Sequence, residues 1–132
     1  DMTPEQSQGW LSRTFIDSVR LGITETYWFA WTKQYYGQLG IQLNPTTAAT
    51  RAAWLTTYSW LVGSTFKSCA DPEGAVICAF EREGKPFWFA YADGAKLIDL
   101  PVGATQSCDL RGACMMADGT KVIVDVRPIK IN

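Results

Sequence analysis

Ala75-Val76-Ile77-Cys78-Ala79-Phe80-Glu81-Arg82-Glu83-Gly84-Lys85-Pro86-Phe87-Trp88-Phe89-Ala90-Tyr91-Ala92 reads as a β-hairpin. β-branched and aromatic residues recur through Ala75 to Arg82 and again through Pro86 to Ala92, and Glu83-Gly84 supplies the turn between them. Outward from this pair, Thr65 to Cys69, Lys96 to Leu100 and Lys121 to Ile131 carry the same short alternating pattern, with Asp93-Gly94 and Asp118-Gly119 as further turn signals. From Ser64 onward the chain therefore predicts an antiparallel sheet assembly of the sandwich kind. Pro128 has no N–H to donate to a ladder, so it belongs at an edge or a strand end.

Upstream the periodicity changes. Thr3-Pro4-Glu5-Gln6 is a capping box with proline at the first helical position, and it predicts a helix start. Leu11, Phe15 and Val19 recur every four residues with Trp10 and Ile16 beside them, and Gly22 supplies the left-handed stop. Ile23-Thr24-Glu25-Thr26-Tyr27-Trp28-Phe29-Ala30-Trp31 is dominated by β-branched and aromatic types and predicts a strand. A loop from Thr32 to Leu43 follows, carrying Tyr35 and Tyr36, and Asn44-Pro45-Thr46 then opens a second helix. Trp54, Leu55, Tyr58, Leu61 and Val62 are expected to be its buried stripe, and Gly63 its end. The fold class is α+β: two helices flanking one aromatic strand over residues 1–63, then an antiparallel β domain over residues 64–132. A lone strand between two helices cannot pair its own backbone, because both of its edges need partners.

Composition narrows the function classes. With 47% apolar residues the chain can build a packed core, so disorder is not expected. A net charge of -1, without a run of Lys or Arg, argues against nucleic acid and anionic membrane surfaces as partners. No apolar stretch reaches the roughly 20 residues that span a bilayer. Cys69, Cys78, Cys108 and Cys114 allow three disulfide connectivities, of which the local pairing closes two short loops between strand-like segments. Metal binding is disfavoured by the absence of His and of any Cys-x-x-Cys pair, and no Gly-rich phosphate loop suggests a cofactor. The cysteines point to an oxidising, extracytoplasmic compartment, either secreted or at the cell envelope. A first residue of Asp1 and the lack of a leader suggest a mature or excised segment.

Tyr27, Trp28, Phe29, Trp31, Tyr35 and Tyr36 fall within ten positions. Such clusters serve as core or as flat apolar faces for sugar rings. Gly22 through Trp31 is similar to the eighth strand of the clan A glycoside hydrolases, the (β/α)8 enzymes that include families 5 and 39 and their actinobacterial members. Trp54-Leu55 and Trp60-Leu61-Val62-Gly63 resemble the eighth helix of the same group. The cysteine-bearing β region resembles the small sandwich that packs against that barrel. The resemblance implies that Trp31 ends its strand at the floor of a sugar subsite, with Tyr35 and Tyr36 in extended subsites. By alternation, Tyr27 and Phe29 share Trp31's side toward a barrel interior, whereas Trp28 turns toward the helices.

Where the chain departs from the clan is equally informative. The clan's acid/base and nucleophile glutamates follow strands four and seven, so both would precede residue 1. Glu25, the one acid in the aromatic strand, lies near its start, toward the wrong end of a barrel for catalysis. No residue of this chain is assigned a catalytic role. The expected function is that of the carboxyl-terminal segment of a secreted glycoside hydrolase acting on polysaccharide or cell-wall glycan, completed by an upstream fragment of the same precursor. The alternative is a non-catalytic secreted module that binds carbohydrate or protein.

Overall fold

The computed structural model describes residues 2–28 and 48–132. Helix α1 (Pro4–Arg20) and helix α2 (Ala48–Leu61) precede eight strands: β1 (Thr65–Ala70), β2 (Ala75–Arg82), β3 (Lys85–Ala92), β4 (Lys96–Asp99), β5 (Gln106–Cys108), β6 (Cys114–Met116), β7 (Lys121–Val124) and β8 (Ile129–Ile131). A six-stranded sheet runs in the order β1-β2-β3-β8-β5-β6, with every pairing antiparallel, and β4 and β7 form a separate two-stranded ribbon. The α+β class expected from the sequence is the class observed.

Local chemistry accounts for most boundaries. The Thr3 hydroxyl accepts from the Gln6 amide at 3.2 Å while Gln6 Oε1 accepts from the Thr3 amide at 2.8 Å, a reciprocal cap that starts α1. Gly22, at φ 75°, takes the left-handed conformation that ends it. In the β2–β3 hairpin, Arg82 opposes Lys85, and Glu83 and Gly84 both adopt positive φ, the two-residue turn whose twist matches the flanking strands.

The central hairpin divides the core by period-two alternation. Cys78 and Phe80 of β2 with Phe87, Phe89 and Tyr91 of β3 face the helices, where they meet Leu11, Ile16, Ala53 and Trp60. Ala75, Ala90 and Ala92 face the other way and pack, with Ile131, against Ile98 of β4 and Val124 of β7. The molecule is thus layered as helix pair, six-stranded sheet and two-stranded ribbon. Small side chains set some of the layer spacing. A Cβ on Gly9 of α1 would lie 2.1 Å from the Val126 carbonyl oxygen, so only glycine permits that approach to the β7–β8 connection.

Three expectations need correction. Residues 23–28 carry no ladder and are not a strand; no neighbouring strand among the described residues offers them an edge, and Tyr27, expected in a barrel interior, is 84% exposed. Lys121 to Ile131 is two strands in two different sheets, because Asp125–Pro128 turns the chain out of the ribbon and Pro128 cannot donate. The buried stripe of α2 is Thr50, Ala53, Thr57 and Trp60, while Leu55, Tyr58 and Val62 are 47%, 57% and 51% exposed. Trp54 and Leu61 of the expected stripe are partly buried against the core, and the sheet and α1 take the small-residue side of the helix together with Trp60. Strands β5 and β6 were missed because each is three residues long, below the length at which alternation is readable.

Candidate functional site

Of the residues that sequence reasoning singles out, Trp31, Tyr35 and Tyr36 lie outside the described residues, as does the expected helix start at Asn44-Pro45-Thr46. The cysteines lie within them. Cys69 directly opposes Cys78 across β1 and β2, and Cys108 opposes Cys114 across β5 and β6; both pairs are disulfide-bonded. Of the three connectivities left open by the sequence, the local one is formed. Asp109 orders the second loop, since its carboxylate accepts from the amides of Arg111 at 2.8 Å and Ala113 at 3.0 Å.

The described chain leading toward Trp31 runs along the helix pair. Trp28 packs on Phe15 with ring centroids 5.8 Å apart, so its expected orientation toward the helices is the one found. Tyr27 donates to Glu25 at 2.8 Å, an exposed pairing that gives Glu25 a structural neighbour. Beside this stretch an open groove of about 270 Å³ lies between α1 and α2, floored by Phe15, Val19, Trp54 and Leu61 and edged by Ile23 and Tyr58. Trp54 and Tyr58 stack at 5.8 Å along its rim. Val62 also lines the groove, and Leu55 shares that side of α2 with Tyr58 and Val62 by helical spacing, so large apolar side chains stand exposed on the outward side of the helix pair. Sequence reasoning assigned this face to the core. The signal that could have separated the two sides is the line of small residues Thr50, Ala53 and Thr57, which suits close packing against another helix.

The opposite side of α1 is locked to the sheet by polar contacts. Tyr91 donates to Asp17 Oδ1 at 2.6 Å, and the Arg13 guanidinium sits 4.7 Å above the Tyr91 ring while pairing with Asp93 at 2.9 Å. Burial, followed by the hydrogen bond to Asp17, raises the Tyr91 hydroxyl well above its ordinary range, so it stays protonated as a donor. Between the helices, Ser12 and Thr57 share a buried 2.8 Å hydrogen bond. At the end of α2, Arg82 donates to the carbonyls of Ser59 at 2.8 Å and Trp60 at 2.5 Å, where a cation also complements the helix dipole. Elsewhere Arg127 holds the Asp125 carboxyl below its usual range through side-chain hydrogen bonds. Among the described residues no three His, Cys, Asp or Glu side chains converge.

No protein-family model and no curated protein matches the sequence. Among solved structures, the chain is similar to a family 39 glycoside hydrolase from the gut symbiont Bacteroides cellulosilyticus WH2, with a TM-score of 0.69 at 16% identity. The superposition covers 94% of this chain and 29% of that one. At that identity the likeness establishes a shared fold, and the chain spans less than a third of its neighbour's length.

Proposed function

We propose that this chain is the carboxyl-terminal segment of a secreted glycoside hydrolase acting on polysaccharide or cell-wall glycan, and that its helix pair docks on the catalytic part of the enzyme. The observation that carries the reading is the outward apolar face of α1 and α2, where Tyr58 and Val62 line an open groove and Leu55 stands on the same side of α2, all three half-exposed. A face of this composition is unfavourable in water and marks a surface that another element covers. The fold shared with less than a third of a glycoside hydrolase supports the same reading, since the larger share of that chain has no counterpart here.

In the complete enzyme two carboxylates from upstream residues perform acid/base hydrolysis of the glycosidic bond. Trp31 follows the stretch 23–28 and forms the apolar floor of a sugar subsite, with Tyr35 and Tyr36 farther along the glycan. Residues 1–63 belong to the end of the barrel and residues 64–132 to an accessory β domain. The two disulfides suit an extracytoplasmic location.

The experiment is an assay of the pure chain on aryl glycosides and polysaccharides, paired with binding of a fluorescent hydrophobic probe. The expected result is no hydrolysis, together with probe binding that Tyr58→Glu and Leu55→Glu diminish. Hydrolysis by the pure chain, or probe binding indifferent to both substitutions, overturns the reading.

A further inference from the structure

We propose that a second groove, on the face of α1 beside the β3–β4 turn, binds a neutral oligosaccharide with Trp10 as its stacking platform. The groove measures about 670 Å³, within the usual range of roughly 300–1,000 Å³ for small-ligand sites. Gln6, Trp10, Arg13, Thr14 and Asp17 recur at helical spacing and share one face of α1, while Asp93 and Val126 wall the groove from the β side. Ile23 borders both this groove and the α1–α2 groove, but Trp10, Arg13 and Asp93, which carry the inference, line this one alone, so it does not depend on the docking role proposed above.

Three observations select the ligand class. First, Trp10 is 58% exposed, so a flat apolar face is presented to solvent instead of being packed away. Second, the polar groups around it are already held in place. Arg13 is clamped between the Asp93 carboxylate and the Tyr91 ring, and Asp17 is fixed by the Tyr91 hydroxyl. Each retains capacity: the guanidinium has further N–H donors, the capping box uses only Oε1 of Gln6, and the Tyr91 hydroxyl occupies one oxygen of Asp17. Planar groups held rigid with spare donors and acceptors suit vicinal hydroxyls and lose little entropy on binding. Third, the charges cancel, because Arg13 pairs with Asp93 and Arg20 lies 3.5 Å from Asp17. The charged groups lining the groove are thus each paired with an opposite charge. A pyranose or furanose ring has an apolar C–H face bordered by neutral hydroxyls, which matches an indole surrounded by balanced polar groups.

The test is titration of the full chain with cello-, xylo-, manno- and arabino-hexaose and with polygalacturonate, followed by tryptophan fluorescence and by amide chemical shifts. We expect at least one neutral hexasaccharide to bind in the millimolar range, with shifts centred on α1 and the β3–β4 turn. Trp10→Ala should weaken that binding roughly tenfold or more, Asp93→Asn should weaken it less, and Trp10→Phe should retain part of it. Circular dichroism of each variant establishes that the fold is intact, as the exposure of Trp10 and Asp93 leads us to expect. Three outcomes overturn the proposal: none of the neutral hexasaccharides binds, polygalacturonate alone binds, or binding is unchanged in Trp10→Ala. None of these bears on whether the pure chain hydrolyses glycosides or on the probe-binding face of α2.

Discussion

The β half and the helix pair treat their apolar residues differently. In the β half, the β2–β3 hairpin is covered on both faces: Phe80, Phe87 and Phe89 lie beneath the helices, and Ala75, Ala90 and Ala92 lie beneath the β4–β7 ribbon. In the helix pair, α2 buries Ala53, Thr57 and Trp60 but leaves Leu55, Tyr58 and Val62 half in water. The difference teaches that apolar character and burial are separate quantities. A sheet that is sandwiched consumes its apolar residues internally, whereas a helix with large apolar residues on more than one side has a surplus side to offer.

The largest expected effect breaks the β side of this contrast. Phe89 is fully buried and packs edge-on against Phe80 and Phe87 and beside Trp60. Phe89→Ala should cost about 3–5 kcal/mol through lost burial and the cavity left behind, measured by urea denaturation. A cost under about 1 kcal/mol would show that the helical layer is not seated on the sheet as described.

An intermediate effect tests the seam between the two regions. Because the hydroxyl of Tyr91 ionises less readily when folded, stability should be complete below the ordinary tyrosine value of 10.0 and fall as pH rises above it, as the unfolded chain loses its proton first. Tyr91→Phe removes this titration and the hydrogen bond to Asp17, costing roughly 1 kcal/mol at neutral pH. The difference between the two proteins in denaturation midpoint should therefore shrink as pH is raised past 10.0, and a constant difference would contradict the protonated hydrogen bond.

The smallest effect sharpens the helical side. Leu55→Ser on the outward face should change the stability of the chain by less than about 0.5 kcal/mol, in contrast to Phe89→Ala. A loss several times larger would mean that Leu55 is core after all, and that the sequence-based stripe on α2 was correct.

Much of the fold is legible in local chemistry. The capping box at Thr3 and Gln6, the stop at Gly22 and the turn at Glu83-Gly84 each depend on atoms within a few residues, so composition and spacing are sufficient to read them. The alternation in β2 and β3 likewise announces a hairpin because each strand is eight residues long. The candidate site is far less legible. Which side of α2 faces the sheet depends on partners distant in sequence, and Trp10, Arg13 and Asp93 come together only because α1 lies across the end of β3.

By itself, then, the sequence determined the caps, the turns and the long strands, along with a cysteine spacing compatible with local bridges. The tertiary structure alone decided that residues 23–28 join no strand ladder, that Cys69 meets Cys78 and Cys108 meets Cys114, and that Leu55, Tyr58 and Val62 stay half-exposed. The physical reason is the range of the forces involved. Backbone caps and turn conformations are satisfied within one turn of chain, whereas strand pairing and burial are satisfied only by whatever surface the rest of the fold presents.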